Sequence, residues 1–485
     1  MKKTLLRLSF NVYRLSSIIM VVLLGALTIT SCQENEYGSV YLDDYVKPEV
    51  PSEIVWNHPA TMYGASDFTR VKDALANGTA PQAVKDELTA LRSSAYTTGN
   101  YDGSEVHATV WITRGSTSST EYPQNYTDAM RDAAAAYQHA LLWKLTGEEA
   151  HATAALNFLN TWAKVCTVGV TDVASDCVLA AGAQGFTFAA AGEMMRDYSG
   201  WSAADRTAFI QWMVDKFAAK NYKFLMYHNN VTCGPMHYWS NWDMVSLLSY
   251  MQIGILAENK DMVDFVVNYF STSGVGNGMI SKLCMDQHTD PLGSGEKIRQ
   301  AQESGRDQGH AQMACMVAAQ LCQVADNLYK SNPTYANLDF FSLNDHMVLQ
   351  MAEYVAMTNL RDGTDIMNAG GNFLIPNSAD IPFAPIAEGY WCKGGSNHEA
   401  FNAHNSFGNV SRGTVRPSME IFLHHYKDMT SELAAKNTGI KYVKQYADKI
   451  RPEGGAGEPG DVHGYGNNSG AFDQVGWNTL MLYQE

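Results

Sequence analysis

Along most of the chain, apolar side chains recur every three to four positions rather than every second one. That spacing is the signature of helices with one buried face. Runs over 126–147, 148–166, 184–198, 203–221, 243–257, 261–272, 310–328, 344–358 and 417–426 show it and end at Gly, Asn or another capping residue, so each is predicted as a helix. An earlier helical stretch, 68–94, is broken by Asn77-Gly78 and Pro81. A short strand is expected at 106–112, but no alternating Val/Ile-rich run is long enough for a large sheet. The chain therefore reads as all-α, built from helix hairpins with long loops and a few short strands. Hairpins stacked in this way close into a solenoid or an (α/α) toroid. The stretches 95–125, 361–404 and 451–471 are rich in Gly, Asn, Ser, Thr, Pro and aromatic residues and are read as loops, whereas 473–483 is apolar again. No linker separates the C-terminal part, so a single folded domain is expected over 56–485.

The N-terminus stands apart. Lys2, Lys3, Arg7 and Arg14 precede an apolar run, 18–29, too short for a comfortable membrane span, which leads to Ile29-Thr30-Ser31-Cys32. This order resembles a bacterial lipoprotein signal over 1–31, with Cys32 as the lipidated first residue. The polar segment 32–55, with Pro48 and Pro51, is expected to be a flexible tether. The location implied is the bacterial cell envelope, on the periplasmic or outer-membrane surface, with the protein lipid-anchored rather than embedded.

Charge narrows the partners. The formal net charge is −16, and without the first 31 residues 30 basic stand against 50 acidic residues. Such a balance excludes nucleic acid. It leaves an acidic glycan open, because local groups decide binding. Seven cysteines follow Cys32. Cys315 and Cys322 share a helix face and read as small core residues, while Cys166 and Cys177 are close enough in sequence to close a short loop. No CxxC or zinc spacing appears, and Asp286, His288 and Asp290 fit no standard metal site. No cofactor is required; a structural cation is compatible with the sequence. A monomer is expected.

Three polar constellations interrupt the helical pattern. In the first, 300–326, Glu303, Arg306, Asp307, Gln308 and His310 run straight into an apolar helix, with Arg299 just before them. Arg306 and His310 are four apart and share a helix side; a fixed cation beside an imidazole suits a carboxylate-bearing substrate. The second, 227–243, packs His237, Tyr238, Trp239, Asn241 and Trp242 against a helix start. Its indoles, if exposed, would make platforms for sugar rings. The third, 388–404, carries Tyr390, Lys393, His398 and His404 on a Gly-rich segment, followed by Arg412 and Arg416. Plainer roles compete: a solvated helix turn for the first, inner packing and a helix cap for the second, a surface loop for the third. No GxSxG, P-loop or dinucleotide fingerprint is present.

The run ESGRDQGHAQM from Glu303, the HYWSNWD stretch opening a helix, and the helical series around them resemble the alginate-lyase superfamily of polysaccharide lyases, most closely polysaccharide lyase family 38. The resemblance implies an (α/α) toroid, an incomplete barrel of helix hairpins, and β-elimination on 1,4-linked uronates such as alginate or glucuronan. It implies an Asn/His/Arg/Tyr catalytic set, matched in kind by Asn241, His237, Arg306 and His310, with Tyr390 or Tyr238 as the tyrosine. Tyr238, Trp239, Trp242, Arg299, Glu303, Gln308, Lys393, His398 and Arg416 are then the substrate-binding candidates. A glycoside hydrolase on the same scaffold would need paired carboxylates, drawn from Glu303, Asp307, Asp243 and Glu399. A non-catalytic surface glycan-binding lipoprotein would keep the indoles without needing Arg306 and His310 together. The lyase expectation requires the Arg306–His310 turn to meet His237 and Asn241 in one groove.

Overall fold

Local chemistry sets the helix boundaries. The computed structural model describes residues 51–115, 118–230, 237–362, 371–386, 405–456 and 472–485. Helix α1 (Ala65–Ala76) ends at Asn77, and Pro81 caps α2 (Gln82–Ser93). A two-residue strand β1 (Trp111–Ile112) precedes α3 (Tyr126–Thr146), which stops at Gly147 in the left-handed conformation, φ 72°. Helix α4 (Glu149–Val165) returns along it, and β2 (Gly169–Val170) pairs parallel with β1. Helix α5 (Cys177–Met195) follows; α6 (Ala203–Met213) runs through a π-turn into α7 (Ala219–Tyr227). Then come α8 (Ser240–Leu256) and α9 (Lys260–Asn268), an antiparallel hairpin of β3 (Cys284–Thr289) and β4 (Lys297–Ala301), α10 (Gln308–Tyr329) and α11 (Leu343–Asn359). The C-terminal part holds α12 (Met419–Tyr426), α13 (Lys441–Ile450) and α14 (Asn478–Leu482).

The packing partners trace a ring. Helix α3 lies against α5, α5 against α8, α8 against α10, and α10 against α11 and α12; α12 meets α14, and α14 returns to α1 and α2, with α1 on α3. This is the (α/α) toroid. Small residues let its inner helices approach: a Cβ on Gly182 of α5 would lie 2.6 Å from Val245 of α8. Closure depends on buried polar bonds between the chain's two ends. The Tyr63 hydroxyl donates to the Gly476 carbonyl at 3.0 Å, and the buried Glu87 carboxylate accepts from the backbone N–H of Gly454 at 2.8 Å and of Leu480.

Four features differ from the sequence expectation. Helix α5 begins at Cys177 rather than near 184, because it is buried almost all round and shows no polar face to mark its start. The β3–β4 hairpin is unforeseen, its strands being short and polar. The 106–112 strand shrinks to Trp111–Ile112. Cys166, Cys177, Cys284, Cys315 and Cys322 are buried free thiols, so Cys166 and Cys177 close no loop. Among the described residues no helix is long and apolar enough to cross a membrane. Residues 1–50, with Cys32 and most of the tether, lie outside the described residues, as do Tyr390, Lys393, His398, Glu399 and His404.

Candidate active site

Two helix starts meet. The first is the start of α8. Its N-cap residue, Trp239, offers no side-chain cap, yet the first N–H groups of a helix need acceptors. They find them across the fold, in the 3₁₀ turn Gln302–Gly305 that leads from β4 into α10. Gln302 Oε1 accepts from Ser240 N at 2.8 Å, and Glu303 Oε1 accepts from Asn241 N at 2.9 Å and from the Ser240 hydroxyl at 3.1 Å. A carboxylate at a helix N-terminus is also favoured by the macrodipole. Glu303, fully buried, is thereby fixed, and its second oxygen receives Arg306 Nη1 at 3.0 Å.

The second is the start of α10. Asp307 is its N-cap, accepting from His310 N at 2.9 Å. The same carboxylate accepts from His310 Nδ1 at 2.7 Å. Arg306 Nη2 lies 3.2 Å from His310 Nε2. Guanidinium can only donate, so Nε2 is the acceptor and Nδ1 carries the proton: a neutral imidazole whose basic nitrogen faces the cation. Burial pushes the Asp307 carboxyl up, but the hydrogen bonds from His310 and the neighbouring charges outweigh it and hold the group below the usual carboxylate range. The Arg306 guanidinium also sits over the Trp239 ring, 5.3 Å from its centroid. The His310 side chain is 39 % exposed and that of Arg306 27 %, so substrate can reach both.

Asn241 completes the cluster. It is 2 % exposed; its amide nitrogen meets only the Met313 sulfur at 3.6 Å, and its Oδ1 finds no hydrogen-bond partner among the described residues. The idle atom is an acceptor, so only the Nδ2–H groups of Asn241 could donate to an anion. His237 lies two residues before Trp239, half-buried, its ring edge-on to Tyr238 with centroids 4.9 Å apart.

The structure thus brings Trp239, Asn241, Glu303, Arg306 and His310 together, with His237 on the same segment. Other candidates point elsewhere. Tyr238 and Trp242 pack with Phe224 and Val178 in an apolar cluster, and the Tyr238 hydroxyl accepts from Asn229 at 2.9 Å. Trp239 is 5 % exposed, so the indoles are not open platforms. Gln308 is buried and clamps the 405–413 loop through Gly408 O at 2.9 Å. Arg299 holds Gln350, Met285 O and Gln287. Arg416 binds Asp473 and Gln474 of the C-terminal segment. Asp243 is fully buried, paired with His228 Nε2 at 2.9 Å and receiving the Tyr269 hydroxyl at 2.8 Å. With Glu303 also buried and Asp307 committed to His310, the candidate hydrolase carboxylates among the described residues do not flank an open groove; Glu399 lies outside them. The role of Asp307 as orienter of His310 was readable from Asp307-x-x-His310 at a helix start; the reach of Gln302 and Ser240 across the fold was not. Among the described residues no group of three or more His, Cys, Asp or Glu side chains is placed to hold a metal.

Residues 71–280 match the family model described as alginate lyase. No curated protein matches the sequence. Among solved structures, alginate lyase A1-III from Sphingomonas species A1 is similar over 89% of this chain and 98% of its own, at 13% identity and a TM-score of 0.49. A histidine-to-alanine variant of alginate lyase A1-III complexed with a tetrasaccharide is similar over 89% of this chain and 97% of its own, at 14% identity and a TM-score of 0.50. The apo form of that variant gives 12% identity and 0.50 over the same shares. The structural likeness establishes the toroid fold, and the match to the alginate lyase family model covers 71–280, less than half of the chain.

Proposed function

We propose that the protein cleaves alginate or a related 1,4-linked uronan by β-elimination, leaving an unsaturated uronate at the new non-reducing end. The observation that carries this is the chain Asp307–His310–Arg306, in which a partly exposed guanidinium and imidazole are in contact. The ESGRDQGH run favours the family 38 branch, and the tetrasaccharide complex of the related lyase supports an acidic polysaccharide as partner.

Elimination must remove the C5 proton of a uronate, which is weakly acidic while the adjacent carboxylate is charged. Arg306 and Asn241 bind that carboxylate and stabilise the dianion that develops. As the carboxylate takes the guanidinium, His310 Nε2 is released from Arg306 and becomes available as base, its Nδ1–H held by Asp307. The C5–H electrons form the C4–C5 double bond, the C4–O4 bond breaks, and O4 takes a proton from the acid. We assign the acid to Tyr390, on sequence grounds, with His237 as the alternative imidazole to His310. Glu303 acts through Arg306 and is a positioning residue.

Arg306→Ala and His310→Ala are expected to lose ~10²-fold or more in kcat while melting close to wild type, both side chains being partly exposed. The assay is the ultraviolet absorbance of unsaturated uronate on a panel of uronans. Turnover near wild type in either variant, or reducing ends without the double bond, would sink the proposal. The leader and Cys32 place the enzyme, in the same reading, on a lipid anchor at the cell envelope.

A further inference from the structure

Arg306 lies outside the helix that carries its partner. It precedes Asp307, the N-cap of α10, so no α-helical bond fixes its backbone relative to His310. Its own N–H is held within the 3₁₀ turn, by Glu303 O at 2.9 Å. The 3.2 Å contact between Arg306 Nη2 and His310 Nε2 therefore depends on what backs the turn. That backing is the loop 405–413. Gly408 N donates to Ser304 O at 2.8 Å, and Gln308 N donates to Val410 O at 2.8 Å. A Cβ on Gly408 would stand 2.7 Å from Arg306 O and 3.0 Å from Gly305 O, so the backbone of the loop rests directly on the Arg306 peptide.

One buried amide holds the loop in place. Asn359, the last residue of α11, is fully buried. Its Oδ1 accepts from Gly413 N, at the far end of the loop, at 2.9 Å and from Gln312 Nε2 at 3.2 Å. Its Nδ2 donates to Gln308 Oε1 at 3.1 Å. Gln308 Nε2 in turn donates to Gly408 O at 2.9 Å and to Ser304 O at 3.2 Å. Gln312 Oε1 accepts from the Tyr446 hydroxyl of α13 at 2.9 Å. Each side-chain nitrogen and oxygen of these three amides has a partner, and a fully satisfied buried network favours a single arrangement. The network also lies on the side away from the chemistry. Gln308, midway in sequence between Arg306 and His310, is fully buried, whereas the side chains of those two are 27 % and 39 % exposed.

We infer that Asn359 is a positioning residue: by fixing the loop on which the Arg306 peptide rests, it sets the guanidinium against the His310 imidazole. It touches no reacting atom and acts through Gln308 and Gly408. The inference rests on the lyase reading for what the Arg306–His310 pair does.

The test is a double-mutant cycle on the full chain. Asn359→Ala should lower kcat on alginate roughly tenfold and move KM by less than about threefold, since small misplacements of reacting groups are costly to the chemical step. Gln308→Met cuts the same path nearer the turn and leaves the Asn359–Gly413 bond in place; it should act alike, and it carries the test if the alanine variant does not fold. When Arg306 is already alanine, either substitution should cost less than about twofold, because residues that act as a unit are not additive. A full tenfold loss in that background, or kcat within about twofold of wild type in both single variants, would overturn the inference. Hydrogen exchange gives a readout that needs no activity. Peptides covering 405–413 should exchange faster in the variants than in wild type, with the interior of α10 unchanged. Unchanged exchange over 405–413, or exchange raised throughout α10, would overturn the positioning role. If wild type forms no double bond on any uronan, the lyase reading falls, while faster exchange confined to 405–413 keeps Asn359 as the residue that fixes the Arg306 turn.

Discussion

Asp307→Asn separates the structural work of one carboxylate from its chemical work. Asp307 caps α10 through His310 N at 2.9 Å and holds His310 Nδ1 at 2.7 Å. Asparagine caps a helix as well as aspartate, so the first bond survives; losing the charge at a helix start costs ~0.3–1 kcal/mol, a melting shift of only a few degrees at most. The second bond does not survive in its present sense. An amide nitrogen facing Nδ1 turns it into an acceptor and moves the proton to Nε2, which then faces Arg306 Nη2, another donor, at 3.2 Å. The basic nitrogen is lost and the imidazole is pushed from the guanidinium. The expected fall in kcat is of the order of 10²–10⁴, read by initial rates of double-bond formation. Asp307→Ala should lose a similar amount of activity and about 1 kcal/mol more stability, the cap being gone. If Asp307→Asn keeps more than about a tenth of wild-type kcat, His310 is not the base oriented as described.

Two further predictions concern stability and location. Burial raises Glu353 to about 8 although Tyr442 N and Val443 N donate to it; the folded protein holds a proton that the unfolded chain releases, so its contribution is full below about 4.5 and is lost as pH rises towards 8. Melting temperatures of wild type should therefore fall over that window more steeply than those of Glu353→Gln, and parallel curves would refute the assignment. Cys32→Ala should move the protein from the membrane to the soluble fraction of bacterial cells, since a lipid chain is the proposed attachment; unchanged membrane recovery would exclude a lipid on Cys32.

What was legible in the sequence follows from where the information resides. Helices with one solvent face announced themselves, because their period is written in side-chain polarity. The first residues of α5 did not, since a helix enclosed on every side has no polar stripe. Arg306 and His310 were legible as a pair from their spacing, although Arg306 precedes the N-cap Asp307 and the two meet across a helix start rather than on one helix side. Tyr238, before the N-cap, and Trp242, in the first turn of α8, share the Phe224 cluster while Trp239 meets Arg306, a division no helix spacing predicts. Glu303 was legible as a polar residue in a dense run, but its work spans more than sixty residues of chain, to the N–H groups of α8. Arg299, Gln308 and Arg416 carried the right chemistry for a uronate, and only tertiary structure shows it used within the fold.

That trans-capping also decides what binds the substrate. A helix start with free N–H groups is an anion site in its own right, and α8 opens beside the Arg306 turn, where the proposed reaction puts a uronate carboxylate. Its first two N–H groups are spent on Gln302 and Glu303, and the Glu303 carboxylate cancels much of the local positive end of the dipole. At α10 the Asp307 cap does the same. Neither helix end is left to attract an anion, so in the proposed mechanism the task passes to side chains: the Arg306 guanidinium, held at Nη1 by Glu303, and the Nδ2–H groups of Asn241, whose Oδ1 can only accept. Side chains can follow a carboxylate as it changes from ground state to dianion and can release His310 on the way, whereas a backbone N–H fixed in a helix start cannot. The buried Glu303 thus does more than stabilise: it takes the helix dipole out of competition and, in the proposed mechanism, leaves recognition to the group that shares a hydrogen bond with the proposed base.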